Sequence, residues 1–179
     1  MPRLFIAIDF PALIRQQLAL PCHGLKGVRW TPEEQLHLTL CFVGEADAAV
    51  TADLAEALGE VSLPPFEMTL RGMGAFPPRG RPNILWAGVA AAPTLMELQQ
   101  QVEKAARSAG VAPDKRRFTP HVTVGRIKTT SDRQVADWLA HNALFGTPPF
   151  TVEAFCLYSS VLNPAGAVHR REAEFPLTR

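Results

Sequence analysis

Two of the five histidines stand in matching frames, His37 in "LHLTL" (36–40) and His121 in "PHVTV" (120–124). Each precedes a threonine by two residues, Thr39 in the first run and Thr123 in the second. Side chains on a strand alternate between faces, so each H-x-T unit sets an imidazole beside a hydroxyl and turns leucines or valines the other way. Imidazole titrates near neutrality. One neutral ring can therefore take a proton from water while a charged one gives a proton to a leaving alkoxide. Threonine hydroxyls can donate to non-bridging oxygens where charge builds up. This set of groups suits phosphoester chemistry. Arg126 follows His121 by five residues, an odd spacing that turns it off the histidine face of a regular strand. A bulge at Gly125 would turn it back, where its guanidinium would clamp a phosphate. His23, His141 and His169 have no such partner and read as structural.

Other chemistries lack their residues. The H-x-T units supply at most two nitrogen ligands, and no H-x-H, H-E-x-x-H or Cys/His cluster occurs, so no metal and no cofactor is expected. There is no G-x-x-x-x-G-K-[ST] or G-x-G-x-x-G loop and no G-x-S-x-G elbow. Hydrophobic residues at 47% and charged residues at 20% are ordinary for a soluble globular protein, and 179 residues suffice for one domain with a sizeable core. No apolar run approaches the roughly 20 residues of a membrane span, and the start does not read as a signal peptide. The three cysteines (Cys22, Cys41, Cys156) lack C-x-x-C spacing and read as free thiols, with a cytoplasmic location expected. A net charge of +1 argues against coating long duplexes by charge alone. It leaves room for a local anion site, and "PRGRP" (Arg79, Arg81) and "DKRRF" (Lys115, Arg116, Arg117) are the basic clusters.

The elements that must position the histidines repeat. His121 lies 84 positions after His37, and the same offset carries "PPFEM" (64–68) onto "PPFTV" (148–152). Between them, 46–60 maps on 130–144. Both stretches have helical spacing of apolar residues, with Asp47 and Ser131 as N-caps. Upstream, "LFIAIDFPALIRQQLAL" (4–20) resembles "ILWAGVAAAPTLMELQQQV" (84–102), each a short strand followed by a proline-opened helix. The order strand, helix, histidine strand, helix, strand thus occurs twice, with an extra strand expected to close each half, near 168–176 in the second. The fold class expected is α+β: a duplicated bilobal fold of two antiparallel sheets, helices on their outer faces and a pseudo-twofold cleft between the lobes. Residues 1–179 then form a single bilobal domain of two tandem repeats. Their boundary lies near 75–83, with terminal strands open to exchange between lobes.

Paired H-x-T motifs in a duplicated chain resemble the two-histidine (2H) phosphoesterase superfamily. Within it, "RLFIAIDFP", "VRWTPEEQLHLTLCFVGE", "LWAGV", "RFTPHVTVGRIK" and "YSSVLNPAGAVHRREAEFPL" resemble the RNA 2′,3′-cyclic phosphodiesterases, also called 2′-5′ RNA ligases. The likeness runs over almost the full length. It implies metal-independent hydrolysis of a terminal 2′,3′-cyclic phosphate to a 2′-phosphate, with reverse 2′-5′ joining as a side activity. It casts His37 as the acid toward the 3′-oxygen and His121 as the base, although the symmetry of the sequence leaves the two roles exchangeable. Thr39 and Thr123 would hold the phosphate, with Arg126 beside it. Relatives commonly carry a tyrosine where this chain has His169; a tyrosine there can pack or hydrogen-bond near the cleft, and the histidine would do likewise or change the preference for the terminal nucleoside. In this setting Phe76, Arg79, Arg81, Lys115, Arg116 and Arg117 become candidate RNA contacts, Phe76 by stacking on a base. Trp30 is a further stacking candidate, whereas Phe5 and Phe42, in apolar strands, read as core. The expected partners are RNA ends or small cyclic nucleotides, with no membrane, and the chain is expected to be a monomer. Two alternatives stand beside this reading. One is a 2H enzyme for another small cyclic phosphate or an oligoadenylate, the other a non-catalytic RNA- or nucleotide-binding module.

Overall fold

Short β-branched and leucine-rich runs alternate with amphipathic stretches along this chain, and the runs zip into antiparallel sheets that the helices cover. The computed structural model describes residues 1–112 and 114–178. In chain order the elements are β1 (Arg3–Asp9), α1 (Ala12–Ala19), β2 (Val28–Trp30), β3 (His37–Glu45), α2 (Ala48–Gly59), β4 (Phe66–Met68) and β5 (Leu70–Phe76). There follow β6 (Ile84–Val89), α3 (Pro93–Ser108), β7 (His121–Ile127), α4 (Asp132–His141), β8 (Phe150–Val152), β9 (Ala154–Asn163) and β10 (Gly166–Pro176). One four-stranded sheet has the order β10-β9-β1-β3, the other β2-β7-β6-β5, and β4 pairs with β8 alone. This is the α+β architecture expected from the sequence.

The offset of 84 is written into the pairing. β3 corresponds to β7, and β5 to β9. The first sheet therefore holds the core order β9-β1-β3 and the second β5-β6-β7, so β5 and β9 have each joined the other half's sheet. The two Pro-Pro-Phe copies meet directly: Phe66 pairs with Val152, Glu67 with Thr151 and Met68 with Phe150. Shifting by 84 turns the first of these pairs into the last and leaves the middle one in place, as a twofold axis through Glu67 and Thr151 requires. Among the described residues β2 and β10 have no counterpart in the other repeat, so the extra strand expected to close each half is found only in the second, where β10 pairs along β9.

The local signals act where the sequence puts them. Asp47 Oδ1 accepts a hydrogen bond from the Val50 amide at 2.9 Å, and Ser131 forms a capping box with Gln134. Pro93 opens α3 in the first turn, where a missing N–H costs nothing. Leu36, Leu38, Leu40, Val122 and Val124 are all buried, as the alternation demands. They join Leu54 and Leu58 of α2, Leu95, Leu98 and Val102 of α3 and Trp138 of α4 in one continuous core. Each such side chain withdrawn from water contributes about 1.5–3 kcal/mol. The two histidine strands are thus anchored from behind by the groups that alternate with the chemistry. Among the described residues no helix is long and apolar enough to cross a membrane.

Candidate active site

His37 opens β3 and His121 opens β7, and these two strands, one from each sheet, lie against each other. The rings are held alike. His37 Nδ1–H donates to the Gln35 carbonyl at 2.6 Å, and His121 Nδ1–H donates to the Thr119 carbonyl at 2.7 Å. A carbonyl only accepts, so in each neutral ring the proton sits on Nδ1 and Nε2 carries the free lone pair. Each ring also rests on a phenylalanine: Phe5 with its centroid 5.0 Å from that of His37, and Phe76 edge-on to His121 at 4.9 Å. Burial makes His37 harder to protonate than an ordinary imidazole. The Gln35 carbonyl and Asp9 partly offset this, while the nearby rings of His169 and His121 add to it. What brings the two imidazoles to one region is the contact between β3 and β7, each of which begins at its histidine.

Register shifts decide what else reaches this face. On β7 the pairing with β6 slips between Leu85 and Trp86: Trp86 faces Thr123, Leu85 faces Gly125 and Ile84 faces Arg126. Val124 is the extra residue. Arg126 therefore shares the face of His121 and Thr123, as a bulge at this point would have it, and its side chain is exposed. β3 slips at the same place in its repeat. Ala7 faces Thr39, Ile6 faces Cys41 and Phe5 faces Phe42, with the first slip at Leu40. Phe42 is thus the counterpart of Arg126, five residues after its histidine and on the same face. It is 66% exposed, so the reading of Phe42 as core is corrected. Unbroken alternation would have buried it; the bulge turns it outward. Phe5 is buried, but beneath the site: it touches the rings of His37, Phe42, Tyr158 and His169.

His169 lies beside His37, which fits the cleft-side packing raised for it by its place at the relatives' tyrosine rather than the purely structural reading. Its ring lies edge-on to His37 at 5.5 Å and to Phe5 at 5.0 Å, and partial burial makes it harder to protonate. The signal available was its departure from the tyrosine of relatives. A polar cluster also adjoins β1. Asp9 pairs in register with His37 and accepts from Tyr158 Oη at 2.5 Å and from Arg171 Nη2 at 2.7 Å. Tyr158 loses its proton less readily because of burial and the neighbouring carboxylate. No motif announces this cluster, because it unites β1, β9 and β10. Trp30 packs on Trp138, with ring centroids 5.6 Å apart, rather than beside the histidines. Phe76 is wedged between His121 and Trp86. Arg79 and Arg81 sit exposed in the connection between β5 and β6, and Arg116 pairs with Asp114 at 3.3 Å. Among the described residues no three His, Cys, Asp or Glu side chains gather as a metal site would need.

Comparison with known proteins gives this arrangement relatives. The 2′-5′ RNA ligase superfamily profile matches residues 16–163. The chain is 34% identical over 171 residues to the RNA 2′,3′-cyclic phosphodiesterase of Archaeoglobus fulgidus, covering 94% of this chain and 96% of that protein. It is 32% identical over 174 residues to the protein of the same name from Thermotoga maritima, covering 94% and 91%. The crystal structure of E. coli LigT complexed with 3′-AMP superposes with a TM-score of 0.81 at 26% identity, covering 100% of each chain. Two histidine strands brought together by a twofold exchange of β5 and β9, in a chain that matches these proteins nearly end to end, have one consistent reading: the chain belongs to the 2′-5′ RNA ligase superfamily, the two-histidine phosphoesterases.

Proposed function

We propose that this protein hydrolyses RNA 2′,3′-cyclic phosphate ends to 2′-phosphates, with His37 and His121 as the acid–base pair. The observation that carries this is the matched pair of imidazoles, each tied at Nδ1 to the carbonyl two residues upstream, on two strands that abut. In the reaction one neutral Nε2 takes the proton of the attacking water as its oxygen bonds to phosphorus. The other ring, protonated, gives its Nε2 proton to the 3′-oxygen as the P–O3′ bond breaks. Each ring ends in the state in which the other began; in 2′-5′ joining a 5′-hydroxyl takes the place of water with the same two roles, and the roles reverse only when the 3′-hydroxyl attacks the 2′-5′ diester to re-form the cyclic phosphate. Thr39 and Thr123 donate to the non-bridging oxygens, and Arg126 offsets the charge gathered there. These residues supply both proton transfers and the anion stabilisation without a metal.

Two features favour a nucleotide over a bare phosphoester. Phe42, exposed on the histidine face, offers a flat surface on which a base can stack, and Phe5 supports it from below. Arg79 and Arg81 extend the basic surface toward the RNA body, where they would act by charge rather than by reading bases. Phe76, edge-on to His121, supports that ring as well as being a candidate to stack on a base. The names of the relatives and the 3′-AMP bound to E. coli LigT support the same substrate class. The two repeats work as one unit, since each supplies one H-x-T strand. The test is to incubate the protein with chelator and an oligoribonucleotide ending in a 2′,3′-cyclic phosphate, then identify the product. A 2′-phosphate end is expected. An unreacted end, or a 3′-phosphate product, refutes the assignment.

A further inference from the structure

The hairpin of β9 and β10 touches His37 by two routes, and the second route runs through Gln35. The tip of this hairpin leans on the chain that crosses from the second sheet to the first. Arg29, on β2 in the second sheet, donates from Nη2 to the Ala165 carbonyl at 3.2 Å. Gln35 donates from Nε2 to the Ala167 carbonyl at 2.8 Å. The tip is shaped for this contact. Gly166 has φ +130°, and a Cβ there would come within 2.3 Å of Arg29 Nη2, so only glycine lets the guanidinium close on the turn. Asn163 Oδ1 accepts from the Ala165 amide at 2.9 Å and stiffens it.

Gln35 is also the residue whose carbonyl fixes His37. Its side chain holds the hairpin while its main chain holds the ring. Two residues beyond Ala167, His169 reaches the ring directly. His121 has the matching carbonyl from Thr119, but no amide side chain stands at that position to tie it to another element. The residue whose carbonyl holds His37 is therefore tied to a second element, and that tie comes from β10, which has no counterpart in the other repeat among the described residues.

We propose that Gln35 is a positioning residue that couples the seating of the β9–β10 hairpin to the orientation of His37. The proposal deepens the acid–base reading above and rests on it for its kinetic consequence. When the hairpin is seated, the Gln35 carbonyl is fixed and His37 Nε2 is aimed at the partner strand. When the amide contact is lost, the segment 31–36 gains freedom and the ring's aim loosens.

Gln35→Leu removes the amide at nearly constant volume and leaves the carbonyl in place. Arg29→Met loosens the same tip without touching Gln35. On a cyclic-ended RNA, Gln35→Leu is expected to lower kcat roughly tenfold, short of the 10²-fold that a 1 Å misplacement can cause, with KM nearly unchanged. The independent readout is NMR of the histidine side chains in the substrate-free protein. In Gln35→Leu, and more weakly in Arg29→Met, the His37 Nδ1–H should exchange faster with water and the His37 ring nitrogens should shift, while His121 stays put. Unmoved His37 resonances in a folded Gln35→Leu protein overturn the coupling. So does an equal response from His121, which would mean general loosening. Should the parent protein leave the cyclic phosphate intact, the activity reading falls, while the NMR comparison still decides the coupling.

Discussion

Phe42→Ala separates the two ways in which a phenylalanine in an apolar strand can be used. If Phe42 were core, its removal would cost about 3–5 kcal/mol through lost burial and a cavity. In a chain of this size each kcal/mol moves Tm by roughly 2–4 °C, so melting would drop by at least about 6 °C. The bulge at Leu40 instead turns the ring outward to 66% exposure, leaving little burial to lose. Stability should then change by no more than about 0.5 kcal/mol, a Tm shift within about 2 °C. Binding should suffer instead. Stacking of a base on an aromatic ring contributes about 1–3 kcal/mol, so even at the lower end KM for cyclic-ended RNA should rise roughly fivefold. A thermal melt followed by circular dichroism and initial rates over a range of RNA concentrations suffice for both quantities. A Tm loss near 10 °C would refute the outward placement of the ring. An unchanged KM would refute its use as a platform.

His37→Ala and His121→Ala should each lower the hydrolysis rate by about 10²–10⁴-fold with the fold intact by circular dichroism, and chelator should leave the parent rate unchanged. The double variant should lose far less than the product of the single losses, because the pair acts as a unit; full multiplicative loss would mean independent roles. Burial lowers the proton affinity of both His37 and His169 in the folded state, so the unfolded chain binds more protons around and below pH ~6.5. Their contribution to stability is therefore present above that pH and lost as the pH falls through the lower folded values, and Tm should decline on acidification over that range, less so in His169→Phe. Replacing the His169 imidazole also removes a neighbour that opposes charge on His37. The limb of the kcat/KM profile set by His37 should then lie below pH ~6.5 in the parent and move upward in His169→Phe; no movement would show that the two rings do not communicate. Arg126→Ala should cost about 1.5–3 kcal/mol of transition-state stabilisation, read from kcat/KM, and Arg126→Lys should recover only part of it.

The candidate histidine pair and most of the scaffold were legible in the residue pattern of the chain. Period-two alternation around His37 and His121 fixed which side chains face the core, because any other register would expose Leu38 or Val122. The offset of 84 showed which elements correspond, and Asp47 and Ser131 fixed two helix starts, since a cap acts within a few residues. What tertiary structure alone decided is where the chain breaks its own period and which distant strands meet. The slip at Leu40 sends Phe42 outward, against its apolar setting, because β3 carries a residue more than β1 can match. The same slip at Val124 brings Arg126 onto the histidine face; the sequence raised that bulge only as a condition. The exchange of β5 and β9, the placement of His169 on His37 and the meeting of Asp9, Tyr158 and Arg171 join residues far apart in the chain. No local pattern encodes such contacts, since they arise from how two sheets pair and pack once each has formed.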